Sequence, residues 1–383
     1  MNFDKTEEQS AAIDQWRKFI RREVEPKIRA HKENGPIPKA LARELLQKMI
    51  PFGVGSGWVP EVGGGTGMDF LTSGLLYEEL SQISPDMHGI LQTTEGVGHK
   101  LFHAGSEEMK ARYLTKLMAG EIIACSAISE PGAGSDVRNL RASAERVGDY
   151  YHLKGEKIWT SNTAIADIAL VVVRTGEKEL SLLLLDREEH KFETREVEKL
   201  GLTGWSLGQI FLDGVKVPVS NMIGLPGEGM RLSMGGFERA RCFISLMGLG
   251  IAAAALEQAI EYSKVRTQFG KAIGQYQLVQ DMLAESATLL DASRLLVYRC
   301  LSHLHLPGKH NLEASMAKSF ATESAFKITS NAIQVFGAMG LTREAGVERH
   351  FRNARMLMIP DGTTQINRLV IGRELTGMNA IVQ

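Results

Sequence analysis

The sequence predicts an α+β protein with an N-terminal all-α domain, a small central β domain and a C-terminal four-helix bundle. Apolar residues recur at helical spacing on both sides of residues 122–230, where short β-rich runs alternate with turns. The 383 residues of the chain are also more than one compact core usually needs. We therefore predict three domains, at residues 1–121, 122–230 and 231–383.

The composition excludes several classes of protein. With 44% hydrophobic residues, 23% charged residues and a net charge of -1, the chain is typical of a soluble globular protein, and it has no excess positive charge for nucleic acid. Three widely spaced cysteines, Cys125, Cys242 and Cys300, form neither a disulfide framework nor a zinc pattern. This cysteine pattern indicates a reducing compartment, so we expect a cytoplasmic protein. We expect no membrane partner, because the apolar runs are too short to cross a bilayer and no signal peptide pattern is present.

The predicted elements follow this order. Up to about residue 120 the helical pattern is broken only by glycine-rich turns, near residue 35 and at residues 63–67. Strands are predicted at residues 150–159, 168–174, 180–186, 191–197 and 209–212. Long helices are then predicted at residues 237–266, 276–306, 312–336 and 346–357, and long helices joined by short loops usually form a bundle.

The most informative segment is residues 129–136, Ser-Glu-Pro-Gly-Ala-Gly-Ser-Asp. Pro131 and Gly132 favour a turn, while Gly132 and Gly134 allow the backbone to approach a ligand closely. Ser129 and Ser135 offer hydrogen bonds. This pattern is typical of a ligand-binding loop, although a surface turn between two strands has the same composition.

Four further segments carry residues suited to a large planar or phosphorylated ligand. They are Lys-Ile-Trp-Thr-Ser-Asn at 157–162, Arg-Thr-Gln-Phe-Gly at 266–270 with Gln277, the glycine-rich helix end at 334–340, and Asp-Gly-Thr-Thr-Gln at 361–365. Each also has an ordinary structural explanation, namely core packing for Trp159 and helix caps for the others. The common phosphate-loop, dinucleotide, hydrolase and zinc signatures are absent, and we expect no metal site.

In this order and at these distances, the five segments make the chain resemble the acyl-CoA dehydrogenases over essentially its whole length. The resemblance implies an enzyme that uses FAD to introduce an α,β-double bond into an acyl thioester. It also implies that the isoalloxazine ring is held by residues of the 129–136 segment, of the predicted strand 125–128 before it and of the 157–162 segment, with the Ser129 hydroxyl at its reactive edge. These residues are Ser126, Ile128, Ser129, Ser135, Trp159 and Ser161.

The same resemblance implies that a neighbouring subunit binds the adenine and pyrophosphate of FAD, so that the protein is a homotetramer or a homodimer. The residues concerned are Arg266, Gln268, Phe269, Gln277, Gln334, Val335, Gly337 and Ala338, while Thr363 and Gln365 complete the dinucleotide site. The resemblance further implies an electron-transfer flavoprotein as the electron acceptor and a role in fatty acid metabolism.

The reaction needs a buried carboxylate that removes the α-proton of the thioester while the β-hydride passes to the flavin. Many family members carry this base as Glu in a Glu-Gly-Thr segment, where this chain has Asp361, one methylene shorter. A minority place a Glu before an Arg on the first helix of the C-terminal domain, which Glu238 and Arg239 resemble. We expect Glu238 to be the base and Asp361 to be the alternative base or a polar neighbour. Ser135 and Arg239 are expected to contact the substrate.

Two departures from the family pattern concern the thioester carrier. Gly236 stands where the family usually has Asp, and Thr203-Gly204-Trp205 replaces the usual Arg-x-Ser, so an acyl or aminoacyl group on a carrier protein is an alternative substrate. A flavin oxidase or monooxygenase and a non-catalytic relative are further alternatives. Glu95 lies on the helix that forms the far wall of the acyl pocket in the family. A charged residue there would suit a polar or short substrate, but we expect its side chain to be exposed.

Overall fold

A computed structural model describes residues 5–31 and 34–380, and it confirms the predicted fold class. Residues 1–4 and 381–383, which we assigned to the first and last domains, lie outside the described residues, as do residues 32–33.

The N-terminal domain is helical. Its first helix, α1, begins at Thr6 in a capping box, in which the Thr6 hydroxyl accepts the N–H of Gln9 and the Gln9 side chain accepts the N–H of Thr6. Wide π turns follow α1 at Ile20–Val24 and occur again at Lys110–Leu114. The helices are α1 (Glu7–Phe19), α2 (Glu25–His31), α3 (Lys39–Met49), α4 (Phe70–Ile83), α5 (Pro85–Ala104), α6 (Glu107–Met109) and α7 (Thr115–Met118).

The central domain contains two sheets. Its strands are β1 (Ala124–Ala127), β2 (Ser143–Val147), β3 (Tyr150–Lys154), β4 (Glu156–Ser161), β5 (Ile168–Arg174), β6 (Leu180–Asp186), β7 (Glu193–Glu196), β8 (Leu207–Phe211), β9 (Val215–Pro218) and β10 (Met222–Ile223), with a short helix α8 (Arg187–His190) after β6. The larger, seven-stranded sheet has the order β10, β6, β5, β2, β3, β9, with β1 parallel to β5. The smaller sheet has the order β4, β8, β7.

The central strand β5 is apolar and buried over six of its seven residues, because both of its faces are covered. Leu170 and Val172 on one face belong to a core shared with α5 and α7. Val171 and Val173 on the other face pack in a core with Ile210 of the smaller sheet. The β domain is thereby fixed to α5.

One predicted strand was wrong. The run at residues 150–159 is two strands, β3 and β4, which belong to different sheets. The chain turns at Gly155, whose φ of 110° is a backbone conformation that favours glycine and whose N–H donates to Asp213. Strands β2, β9 and β10 were not predicted.

The C-terminal domain is a helical bundle. It consists of α9 (Gly229–Met234), α10 (Phe237–Val265), a hairpin of β11 (Thr267–Gln268) and β12 (Lys271–Ala272), α11 (Gln277–His303), α12 (Asn311–Phe336), α13 (Val347–Leu357) and α14 (Thr364–Thr376). Helix α10 lies at the centre and packs against α4, α11, α12 and α13.

By length and composition alone, the helical stretch Gly229–Val265 could cross a bilayer. However, 78% of the most apolar 18-residue segment of this stretch is buried inside the protein, as in the core helix of a soluble protein.

A glycine in α10 permits a close approach between the N-terminal and C-terminal domains. A Cβ atom at Gly250 would lie 2.4 Å from Cβ of Ser81 and 2.5 Å from the carbonyl oxygen of Glu78, both in α4. At Gly248, two residues earlier, a Cβ atom would lie 3.5 Å from its nearest neighbour, Cβ of Ala325, which is an ordinary van der Waals contact.

We predict that Gly250→Ala destabilises the protein by about 1–3 kcal/mol, because α4 and α10 must move apart. The matched variant Gly248→Ala should be neutral or more stable by up to about 1 kcal/mol, since alanine favours a helix over glycine. Urea unfolding of both variants measures the difference. Equal effects of the two substitutions would contradict the close approach.

Candidate active site

The predicted ligand loop at residues 129–136 is a closed turn with an open tip. Glu130 and Ala133 exchange two backbone hydrogen bonds of 3.0 Å across Pro131 and Gly132. A Cβ atom at Gly132 or Gly134 would meet no atom within 4 Å. The backbone N–H of Ile158 donates to the carbonyl oxygen of Ser129 over 2.9 Å, which joins the loop to β4.

A buried ion pair holds this loop from below. The Lys157 ammonium, which is fully buried, donates to a Glu130 carboxylate oxygen at 2.7 Å and to the Ile128 carbonyl oxygen at 3.0 Å. The Glu130 carboxylate also accepts the backbone N–H groups of Arg141 and Ala142. Burial raises the pKa of Glu130, but the hydrogen bonds from Lys157 and from the two backbone groups outweigh it, so the net shift is downward.

The surface beside the loop fits a planar, hydrogen-bonding group such as a flavin. Trp159 is not a core residue: the residue is 57% exposed, and its φ of 58° is unusual for a tryptophan. The hydroxyls of Ser126 in β1 and Thr160 in β4 are buried without a hydrogen-bond partner among the described residues. An exposed aromatic ring beside two unpaired hydroxyls and an open loop suits the isoalloxazine ring.

Most of the other predicted cofactor residues lie near the C-terminal end of α10, whereas Thr363 and Gln365 follow Asp361. At the tip of the β11–β12 hairpin, Phe269 is 95% exposed and has a φ of 48°. Its neighbours Arg266, Gln268 and Gln277 are also exposed. Tyr262, near the end of α10, stacks on Phe336 at the end of α12 with ring centroids 4.1 Å apart. This contact brings the hairpin and the glycine-rich segment 334–340 to the same end of the bundle.

Within that glycine-rich segment, Gln334, Gly337 and Ala338 are exposed, whereas the side chain of Val335 packs into the bundle. Gly337 has φ 62° and ψ −140°, which essentially only glycine adopts. Because a helix rises about 1.5 Å per residue, the 29 residues of α10 separate this end from Glu238 by about 40 Å.

The carboxylate of Asp361 lies among cationic groups from three helices. Arg241 of α10 donates from Nε to the backbone carbonyl oxygen of Asp361 at 3.2 Å, and Lys318 of α12 donates to that of Gly362 at 2.8 Å. Burial raises the pKa of Asp361 above its ordinary 3.8, while Lys318, Arg241 and Lys100 of α5 oppose this rise. Asp361 also has a φ of 53°, a left-handed conformation stabilised by these two anchors.

Thr363, which follows, caps α14: its hydroxyl accepts the N–H of Ile366 at 3.3 Å. Gln365 is exposed. Thr363 therefore has the helix-capping role that the sequence suggested for this segment. A role of Thr363 and Gln365 in the dinucleotide site stays a prediction.

Glu238 lies in the first turn of α10 and is half-buried. It interacts electrostatically with Arg241. The next residue, Arg239, is buried on another side of the helix, with its guanidinium carbon 4.6 Å from the ring centroid of Trp58. The structure thus brings Arg241 together with both candidate bases.

The expected exposure of Glu95 was wrong, because its side chain is fully buried. Its carboxylate accepts the backbone N–H of Trp58 at 2.8 Å and the hydroxyl of Tyr77 at 2.7 Å. Burial raises the pKa of Glu95 to about 7, although these hydrogen bonds and Arg239 oppose the rise. The pattern of the sequence did not reveal this, since Glu95 is flanked by threonines and glycine rather than by a long apolar run.

Sequence reasoning also missed Lys318, one of the cations around Asp361. Its position carried a usable signal: Lys318 shares a helix face with Ala314, Ala321 and Ala325, all buried. A lysine in the middle of a stripe of small residues indicates a charged group inside a bundle, where it needs a partner.

Family models match three successive parts of the chain. The acyl-CoA dehydrogenase N-terminal domain matches residues 6–121, the middle domain residues 125–215 and the C-terminal domain residues 227–376. Among curated relatives, an acyl-CoA dehydrogenase of Bacillus subtilis is 35% identical over 379 residues, which is 97% of this chain and 99% of the relative.

Two further proteins extend the comparison. Subunit CarC of the caffeyl-CoA reductase–Etf complex of Acetobacterium woodii is 33% identical over 345 residues, 88% of this chain and 90% of the relative. The crystal structure of a glutaryl-CoA dehydrogenase from Mycobacterium smegmatis in complex with FADH2 superposes with a TM-score of 0.92 at 27% identity, and it covers 99% of this chain and 97% of that one.

These proteins are named for CoA thioesters, so the alternative of a carrier-protein substrate is not favoured. The surface around Ser126 and Trp159 also fits the flavin that the family binds. The chain belongs to the acyl-CoA dehydrogenase family, and it is an FAD-dependent oxidoreductase that acts on a CH–CH bond of an acyl-CoA thioester.

Proposed function

We propose that Asp361 is the base that removes the α-proton of the acyl-CoA substrate. The observation that carries this proposal is the setting of its carboxylate among Lys100, Arg241 and Lys318. These cations favour the ionised form that a base needs, while burial raises the pKa and with it the basicity of the carboxylate. The contacts favour Asp361 over Glu238, our first candidate, because Arg241 and Lys318 fix the backbone of Asp361 and Gly362 directly.

Bound FAD supplies the acceptor for the β-hydrogen. The residues of this chain then have three tasks: the carboxylate of Asp361 takes the α-proton, the cations around it stay charged during the transfer, and the surrounding helices keep water out. Arg239 and Ser135 are the proposed contacts to the substrate. Ser135 is exposed at the tip of the flavin loop, where a substrate arm has free access.

We propose that FAD lies between subunits of a homo-oligomer, most simply a homotetramer. The isoalloxazine residues Ser126, Ile128, Ser129, Ser135, Trp159 and Ser161 lie in the β domain, whereas Arg266, Phe269 and Gln334 lie at the far end of the bundle. An exposed phenylalanine at a hairpin tip is an expected contact for a neighbouring subunit or its cofactor.

The proposed electron acceptor is an electron-transfer flavoprotein, supported by the relative that is a subunit of a complex with Etf. A location in the cytoplasm and a role in fatty acid metabolism complete the proposal. The ordinary composition of the chain and the family support both.

Asp361→Asn should lower the rate at which an acyl-CoA bleaches the flavin about 10²–10⁴-fold, because the amide cannot accept the proton. FAD content should be unchanged. The matched variant Glu238→Gln should retain bleaching within a few-fold. Anaerobic stopped-flow absorbance measures both rates, and the opposite ranking of the two variants would assign the base to Glu238.

The pH dependence should follow the charge of Asp361. Only the ionised carboxylate accepts a proton, so kcat/KM should fall as the pH falls through the pKa of Asp361, which burial places above 3.8. Lys318→Met removes the cation that most opposes this rise, and the acid limb should therefore move to higher pH. Lys327→Met, an exposed position on the same helix, is the control. The profile is best compared below pH 7, because burial lowers the pKa of Lys318 to about 8. An unmoved limb in Lys318→Met would exclude Asp361 as the titrating group.

The Lys157–Glu130 ion pair should be required to keep the loop at residues 129–136 in the conformation that binds FAD. Lys157→Met leaves the Glu130 carboxylate buried with only backbone donors, at a cost on the order of 3–5 kcal/mol, and FAD should be retained less well. Lys154→Met, at an exposed position at the end of β3, is the control. Urea unfolding and the FAD content after gel filtration test this. Unchanged FAD retention in Lys157→Met would separate the pair from the flavin site.

A further inference from the structure

The guanidinium of Arg239 is buried between aromatic rings. Arg239 is only 9% exposed, and its guanidinium carbon lies 4.6 Å from the ring centroid of Trp58 and 5.7 Å from that of Phe70. Contacts with ring faces stabilise a cation but accept none of its N–H hydrogen bonds in the plane of the guanidinium.

These N–H groups have no acceptor among the described residues. The buried Nε of Arg239 has no hydrogen-bond partner, and no described residue accepts a hydrogen bond from its terminal nitrogens. An unmet donor of a charged group is costly inside a protein, and natural structures usually provide a partner for it. A ligand with acceptor oxygens would supply that partner.

Within residues 5–31 and 34–380, Glu95 is the only carboxylate that interacts with Arg239, and both of its oxygens are already engaged by Trp58 and Tyr77. Burial raises the pKa of Glu95 to about 7, so that it is protonated in a large fraction of molecules at neutral pH. Glu95 therefore compensates the charge of Arg239 only in part.

A second cation, Lys100 of α5, adds to the positive charge. Burial, and to a lesser extent the charge of Arg239, lower the pKa of Lys100 to about 8 and that of His99 to about 2, so that at neutral pH Lys100 is mostly cationic whereas His99 is neutral. Lys100 interacts electrostatically with both Arg239 and Asp361. Because Arg241, two residues along α10 from Arg239, contacts the backbone of Asp361, the two cations Arg239 and Lys100 lie near the proposed base.

One flank of α5 is open beside Trp58. The helix α5 contains three glycines, and two of them are packed tightly, Gly89 against Trp205 and Gly98 against Met118. At Gly96 a Cβ atom would meet only one side-chain atom within 4 Å, a ring carbon of Trp58 at 3.8 Å. Because glycine weakens a helix, an open flank at this position suits a wall that lines a pocket.

We propose that Arg239 binds a carboxylate at the distal end of the acyl group, so that the preferred substrate is the CoA thioester of a dicarboxylic acid. A carboxylate matches the fork of the guanidinium in geometry, and its charge relieves the repulsion between Arg239 and Lys100. This inference rests on the proposed function, because it places the acyl group between Asp361 and Arg239.

The test measures binding without turnover. Protein whose FAD has been reduced with dithionite is titrated by calorimetry with glutaryl-CoA and adipyl-CoA, and with pentanoyl-CoA and hexanoyl-CoA as the neutral thioesters of the same carbon number. We expect the carboxylated thioesters to bind about 10- to 100-fold more tightly, the range for hydrogen bonds between charged groups. Equal or weaker binding of the carboxylated thioesters would overturn the inference. This comparison is made on the wild-type protein alone.

Variants assign the effect to Arg239. Arg239→Gln should remove the preference for the carboxylated thioester, Arg239→Lys should keep part of it, and Arg231→Gln, at an exposed arginine of α9, should keep all of it. A uniform loss of affinity for all four thioesters in Arg239→Gln would show a structural role and contradict the proposal. Failure of every thioester to bind the wild-type protein would refute the acyl-CoA function itself, a result distinct from equal binding.

Discussion

The burial of helix α10 is the constraint on which the rest of the structure depends. Its middle is covered by the N-terminal helices and by the other helices of the bundle, and Gly250 allows α4 to approach its backbone. A helix enclosed on all sides cannot rotate or slide without opening the core. The two ends of α10 are therefore fixed points, one at Glu238, Arg239 and Arg241 and the other beside the β11–β12 hairpin.

The N-terminal end of α10 places two arginines on different sides. Residues two apart in a helix are separated by about 200° around its axis. Arg239 consequently faces Trp58 and Phe70, whereas Arg241 faces Asp361 and the start of α12. The two sides differ in their hydrogen bonds: Arg241 has acceptors in the protein, and Arg239 has aromatic faces and a carboxylate that is already engaged. Of the two arginines, Arg239 is therefore the one that can bind an acceptor group of the substrate.

The fold was largely predictable because its signals are local. The helical spacing before residue 120 and after residue 235, and the apolar runs of β5 and β6, need no tertiary information. The division of residues 150–159 into β3 and β4 did need it, because Gly155 turns the chain from one sheet to another through a contact with Asp213. Short strands such as β10 depend on their partner strands rather than on their own sequence.

The site was less predictable because its contacts join residues that are distant in sequence. The residues around the flavin were named from short motifs, but the charges around Asp361 come from α5, α10 and α12, which are distant in sequence. Glu95 looked like a surface residue because its partners, Trp58 and Tyr77, precede it by 37 and 18 residues. Burial of a polar side chain is decided by packing, which a single sequence does not display.

The central claim, that Asp361 is positioned to take the α-proton, is tested most directly by a crystal structure of the FAD-bound protein with an unreactive acyl-CoA analogue. The account predicts a carboxylate oxygen of Asp361 within about 3.5 Å of the α-carbon, on the face opposite the flavin. A structure in which Glu238 occupies that position, with Asp361 turned away from the thioester, would contradict it.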